Sequence, residues 1–220
     1  MERNLNWAVL GTGVIANEMA QALNTMGKKL YAVGNRTHEK AVKFAKKYQV
    51  KKVYDDFHEM FTDPQVDVIY ITTPHNTHIE FVREALKNKK HVLCEKSITL
   101  NSLELDEALQ LAKENNVIFA EAMTIWHMPL YKKLWEFIDA GKTGEFSSNL
   151  KEEYAEIADW LKEGIPALGK VQMIQLNFGS YKEYNMDNRF FNMNLAGGAL
   201  LDIGVYALSI ARSFMESKPD

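Results

Sequence analysis

The chain has 220 residues, 46% hydrophobic and 25% charged, which excludes a disordered or collagen-like polypeptide and suffices for one large or two small domains. Its 26 basic and 29 acidic residues leave a net charge of −3 without long like-charge blocks, so neither a nucleic-acid footprint nor a polybasic membrane patch is indicated, and the expected partner is a small molecule. The single cysteine, Cys94, excludes an intrachain disulfide framework and fits a reducing compartment.

The chain opens M-E-R-N-L-N-W-A-V-L-G, entering a strand without the apolar region of a signal peptide, and no apolar run is expected to approach membrane-spanning length; the expected location is cytoplasmic. Trp7 to Leu10 predicts the first strand, and Met19, Leu23 and Met26 recur at helical spacing in a helix from Val14. A strand at Leu30 to Val33, a helix at Glu39 to Tyr48, and strands at Val53-Tyr54 and Val66 to Thr72 follow. Then come a helix at His78 to Lys87, a strand at His91 to Cys94, a helix at Leu103 to Asn115 and a strand at Val117 to Ala120. Short strands separated by helices imply right-handed crossovers, hence an α/β fold with a doubly wound parallel Rossmann sheet.

Past about residue 125 the alternation stops. Leu130 to Ala140 predicts a helix, Val171 to Phe178 a strand with alternating faces, and Leu200 to Met215 an apolar helix. The expected domains are therefore 1–124, binding the nucleotide, and 125–220, a truncated α+β second domain.

Four segments carry the chemistry: G-T-G-V-I-A at 11–16, N-R-T at 35–37, C-E-K at 94–96 and G-G-A-L-L-D-I-G-V-Y at 197–206. In the first, Gly11 permits a tight turn, Gly13 lets backbone approach a pyrophosphate, and small Ala16 lets helix and strand pack closely. A ligand-free βα turn is the other reading of that segment. About twenty residues further on, an NAD enzyme usually presents a carboxylate to the ribose 2′-hydroxyl. Here Asn35, Arg36 and Thr37 stand there, with no acid before Glu39, which favours NADP, with dual use of NADP and NAD as the fallback; a solvated arginine starting a helix is the other reading of Arg36. Glu95 and Lys96 follow the fifth strand, where ligands sit in open α/β sheets; the lysine there either stabilises a developing alkoxide or is one of a surface pair.

These segments, with T-T-P-H-N-T-H at 72–78 and E-A-M at 121–123, resemble the Gfo/Idh/MocA family, and within it the branch of dihydrodiol dehydrogenases and glucose-fructose oxidoreductases. The resemblance implies an oxidoreductase moving hydride between a nicotinamide and a secondary alcohol or carbonyl of a sugar, polyol or vicinal diol. It puts Gly11, Gly13, Ile15 and Ala16 at the pyrophosphate, and Asn35, Arg36 and Thr37 at the adenosine ribose. Thr73, Pro74, His75, Asn76 and His78 would border the ribose and nicotinamide, with Glu95 and Lys96 beside the reactive ring. Lys96, Asp202 and Tyr206 would be catalytic, the last as proton donor and acceptor. Met123, Trp126 and His127 either line a substrate pocket or belong to a core.

Several features depart from that family or leave a second reading open. Ser97 replaces the proline of the family's E-K-P, so a looser lysine is expected. Residues 143–167 form an insertion in which Leu150, Tyr154, Ile157 and Leu161 predict an extra amphipathic helix, expected to cover apolar surface. Family members also continue beyond this chain's length, which would weaken a homodimer and supports a second reading, a nucleotide-binding sensor or interaction protein without turnover. His75 and His78 have a metal-compatible spacing but no evident third ligand, so no metal is expected, and Cys94 is either a nucleophile or packing.

Overall fold

The computed structural model describes residues 4–143 and 171–215 of the chain. Six strands form one parallel sheet: β1 Trp7–Leu10, β2 Ala32–Gly34, β3 Lys52–Tyr54, β4 Val68–Ile71, β5 His91–Cys94 and β6 Phe119–Glu121. Their order, β3-β2-β1-β4-β5-β6, is that of the doubly wound fold, with the reversal of winding between β1 and β4. The helices between them are α1 Val14–Thr25, α2 His38–Tyr48, α3 Phe57–Thr62, α4 His78–Lys87 and α5 Ser102–Glu114.

The period-two geometry of strands divides the core. Ala8, Leu10, Ile69 and Ile71 point to one face, where Met60 and Phe61 of α3, Val82 and Leu86 of α4 and Ala108 of α5 cover them. The intervening Val9, Val33 and Tyr70 point to the other, against Ala16, Ala20 and Leu23 of α1 and Phe44 and Tyr48 of α2. Both faces are covered, which is why the strands read as nearly unbroken apolar runs. Each fully buried leucine, isoleucine or phenylalanine contributes about 1.5–3 kcal/mol.

One helix goes unanticipated. In α3, Asp56 accepts from the His58 N–H at 2.8 Å as N-cap, and Asp63 closes the C-terminus with its N–H donated to Glu59 O at 3.0 Å. Asp63 is also the centre of a buried knot: its carboxylate accepts from Tyr31 at 3.1 Å, Lys52 at 2.9 Å and Tyr54, while its carbonyl accepts from Lys90 at 2.6 Å. Burial alone would raise the carboxyl pKa, but the hydrogen bonds from Tyr54, the Gln65 N–H, Lys52 and Tyr31 hold it far below the carboxylate range.

The described residues of Met1–Ala122 and Lys182–Asp202 form one compact unit, and those of Met123–Tyr181 and Ile203–Asp220 another. The second holds a 3₁₀ turn at Thr124–His127, helix α6 Pro129–Thr143 and helix α7 Val205–Phe214, with the Trp135 and Phe214 rings 5.2 Å apart.

Three expectations meet a different outcome in this half of the chain. Val171 to Phe178 is not a strand: no described strand pairs with it, and without a ladder partner Met173 and Phe178 stay largely in solvent. The helix expected from Leu200 begins as a π turn, Leu200–Gly204, before α7. Met193–Phe214, 22 residues with a mean hydropathy of 1.4, is long and apolar enough by composition to cross a membrane, against expectation. That stretch is broken between a 3₁₀ turn at Met193–Leu195 and the π turn, where Ala196 and Gly198 take positive φ. The helix expected from Leu150 to Leu161 lies outside the described residues.

Candidate functional site

A cavity of about 810 Å³ opens at the carboxyl ends of β1, β2 and β4 and lies wholly within the first unit. Its floor is the glycine turn. The Gly11 N–H donates to Gly34 O at 2.8 Å, its φ is +110°, and a Cβ there would stand 2.5 Å from Thr72 Oγ1, so only glycine lets β1 end between its neighbours. A Cβ on Gly13, by contrast, would meet nothing within 4 Å. Gly13 is the N-cap of α1, with no side-chain cap and no acid in the first turn, which leaves backbone N–H groups for an anion. Ala16 is fully buried against the sheet, as close packing requires, but neither it nor Ile15 lines the cavity.

The end of β2 is tied to this floor. Asn35 Nδ2 donates to Thr12 Oγ1 at 2.6 Å while its Oδ1 accepts from the Thr37 N–H at 2.9 Å, so Asn35 sets the turn that carries Arg36. Arg36 and Thr37 line the cavity, and so do Lys40, Lys43 and Lys47 of α2, which the sequence reading overlooked. Their spacing from Arg36 is helical, the signal that would have grouped them. Among the described residues, the lining holds four cations and no carboxylate.

Of the 72–78 segment, Thr72, Thr73, Pro74, Asn76 and Thr77 line the cavity and the two histidines do not. Asn76 Oδ1 is buried and accepts no hydrogen bond from the described residues. That orphaned acceptor, the bare glycine turn and the cations fit a dinucleotide, whose hydroxyl or amide groups would satisfy the asparagine.

His78 is a strut rather than a border of the cavity: fully buried, its Nδ1 lies 2.8 Å from Ser97 O and its Nε2 2.8 Å from Thr73 O. Burial lowers its pKa. Burial, with the charges of Lys96 and Arg189 nearby, takes His75 down to about 4. No group of three His, Cys, Asp or Glu side chains among the described residues could hold a metal ion.

Beyond β5, Lys96 meets Asp202. Its Nζ lies 3.2 Å from Asp202 Oδ1 and also donates to the Asp202 carbonyl, with the two side chains only 13% and 18% exposed. Glu95 accepts from the Tyr70 hydroxyl at 2.5 Å, and burial raises its carboxyl pKa. Ser97, expected to loosen this loop, has contacts of its own. It is 5% exposed, its Oγ donates to Leu201 O at 2.8 Å, its carbonyl faces His78, and the Lys96–Ser97 peptide is cis. Burial pushes the Cys94 thiol up, which withholds the thiolate a nucleophile needs.

The remaining candidates belong to the second unit. Tyr206 lies in α7, after the π turn, with its ring 5.6 Å from that of Phe178. Met123 is buried, Trp126 half-buried and His127 exposed, and none of them lines the cavity.

A parallel sheet with a glycine turn at its switch point and a cation-lined cavity there defines a dinucleotide-binding Rossmann domain, with a lysine–carboxylate pair just after β5. The family described as Gfo/Idh/MocA oxidoreductases with an NAD-binding Rossmann fold matches residues 5–123, and the Gfo/Idh/MocA C-terminal domain matches 154–220. The chain belongs to the Gfo/Idh/MocA family.

It is 32% identical over 218 residues to trans-1,2-dihydrobenzene-1,2-diol dehydrogenase of Xenopus laevis, a match covering 97% of this chain and 58% of that protein. D-xylose 1-dehydrogenase (NADP(+)) of Hypocrea jecorina is 29% identical over 93% of this chain and 51% of its own length. Among solved structures, a variant of KijD10, a 3-ketoreductase from Actinomadura kijaniata, superposes with a TM-score of 0.70 at 22% identity, covering 96% of this chain and 57% of its own. The chain thus spans little more than half the length of these proteins.

Proposed function

We propose that the chain is the cofactor-binding and catalytic part of an NADP-dependent oxidoreductase that interconverts a secondary alcohol and a carbonyl on a sugar, polyol or vicinal diol. The observation that carries this reading is the Lys96–Asp202 pair, held nearly out of solvent just beyond β5. The Xenopus laevis diol dehydrogenase and the Hypocrea jecorina xylose dehydrogenase support the substrate class. NADP is favoured over NAD by Arg36, Lys40 and Lys43 in a cavity without a carboxylate, since a 2′-phosphate needs cations and a 2′-hydroxyl is usually met by an acid. Residues 1–124 would hold the nucleotide and 125–220 part of the substrate side.

Bound nicotinamide supplies the hydride donor or acceptor at its ring C4. Lys96 donates a hydrogen bond to the reacting oxygen and stabilises the negative charge growing there. Asp202 fixes where that ammonium points. Tyr206 as proton donor and acceptor rests on the sequence resemblance alone. A free phenol titrates near 10, so as a base at neutral pH it needs a neighbouring cation.

Titration of the purified chain with NADPH and NADH, read by nucleotide fluorescence, tests the first half of the reading. NADPH is expected to bind at least about tenfold more tightly, a difference of about 1.4 kcal/mol. Equal affinities would remove the NADP assignment, and no binding of either would remove the site. A panel of sugars and diols with NADP+ then tests turnover, which Lys96→Ala and Tyr206→Phe should abolish; nucleotide binding without turnover by the parent chain would instead support a sensor.

A further inference from the structure

Asp202 serves two cations. Its Oδ1 lies 3.2 Å from Lys96 Nζ and 3.5 Å from Arg189 Nη1. Arg189 is the more open of the two, with its side chain 43% exposed, and its guanidinium stacks 4.2 Å from the centre of the Phe190 ring. The turn that carries it is fastened to the segment leading into Asp202. The Gly198 N–H donates to Phe190 O at 2.9 Å, the Gly197 N–H donates to Asn192 O at 2.9 Å, and a Cβ on Gly197 would lie 2.6 Å from Arg189 O. The Gly197-Gly198 pair is thus what lets the Arg189 turn press against the backbone four residues ahead of Asp202, whose N–H donates to Gly198 O at 3.2 Å.

We propose that Arg189 is a positioning residue for Lys96, sharing the Asp202 carboxylate so that Lys96 is held in place without being neutralised by a one-to-one ion pair. The kinetic arm of the proposal rests on the function read above; its chemical arm does not.

With one carboxylate between two cations, the cluster keeps one positive charge for a substrate oxygen. Three other ionisable groups, Glu95, Glu121 and His75, also feel the Lys96 charge. The Glu95 carboxylate accepts from the Tyr70 hydroxyl, and burial raises the carboxyl pKa of both Glu95 and Glu121 while the Lys96 charge works against that rise. His75 is kept neutral at pH 7 by burial and by the same two cations. Without Arg189 the Asp202 carboxylate would fall to Lys96 alone, tying the Lys96 N–H groups to the carboxylate and shielding the nitrogen from an acylating agent.

Lys96 acylation by acetic anhydride, followed by mass spectrometry of the peptide, reads this without turnover. Arg189→Gln is expected to slow acylation at Lys96 at least threefold relative to other lysines while NADPH affinity stays within twofold, and Arg189→Lys should restore most of the rate. In the Asp202→Asn background, Arg189→Gln should have no further effect. An unchanged acylation rate in Arg189→Gln, or an equal effect in the Asp202→Asn background, overturns the proposal whether or not the chain turns over substrate. Should Arg189→Gln fail to fold, Phe190→Leu, which removes the ring beneath the guanidinium, carries the test: slowed acylation supports the sharing and an unchanged rate overturns it. Where turnover is present, Arg189→Gln should lower kcat at least tenfold, with Arg189→Lys recovering most of it; loss of turnover in the parent chain itself removes the proposed function and leaves the acylation result standing.

Discussion

Gly11 and Gly13 stand two residues apart and fail differently when changed. An alanine at 11 needs a φ of +110° and drives its methyl to 2.5 Å from Thr72 Oγ1, so Gly11→Ala should cost about 2–3 kcal/mol of stability, seen as a lower Tm in calorimetry. An alanine at 13 meets open space, so Gly13→Ala should leave Tm nearly unchanged and raise the NADPH Kd about tenfold or more, because its methyl stands where the pyrophosphate would approach. A fall in Tm for both variants, with equal loss of binding, would remove this division of labour. Both glycines were legible because each requirement is local: a tight turn, a close approach. The lysines of α2 were not, because their side chains converge on the cavity only once α2 packs against the sheet beside Arg36. Arg189 was hidden for the same reason, since its partner Asp202 is reached through a turn that has no periodic signature.

At the scale of elements, long periodic segments were readable and short ones were not. The boundaries of β2, β4 and β6 moved by one or two residues from the apolar runs that announced them, as ladder pairing rather than hydrophobicity fixes a strand's end. Six-residue α3 is too short to show a helical period, though Asp56 followed by Glu59 is the outline of a capping box. Val171 to Phe178 alternates as a strand should, but alternation describes a face and does not supply the partner a strand must bond to.

The knot that ends α3 has a pH signature. Asp63 titrates below its unfolded value, so its stabilisation is complete above about pH 4–5 and drains away as pH falls through and below the ordinary carboxylate range. Asp63→Asn should therefore lower stability by about 2–3 kcal/mol at pH 7, with the gap to the parent chain narrowing towards pH 3 in a series of thermal melts. A gap that stays constant with pH would mean the carboxylate's charge contributes nothing.

Over the first unit as a whole, the two ends of the sheet have separate tasks. The knot of Tyr31, Lys52, Asp63 and Lys90 gathers residues just before or at the starts of β2, β3 and β5, while the cavity and the Lys96–Asp202 pair lie beyond the strands' carboxyl ends. A ligand at the second end should stabilise the unit without touching the first. NADPH at 100 times its Kd is expected to add about 2.7 kcal/mol, raising the melting temperature by roughly 8 °C. No shift at saturating nucleotide would contradict binding to the native cavity.

Lys96 and the carboxylate it holds are separated by 106 positions of sequence. On a translating ribosome, which adds roughly 5–20 residues per second, the whole six-stranded sheet can be made before Asp202 exists, and Lys96 waits on the order of 5–20 s for its counter-ion. The nascent chain therefore acquires its sheet and every cavity-lining residue but Leu195 first, and the Lys96–Asp202 pair last in the birth order of the unit.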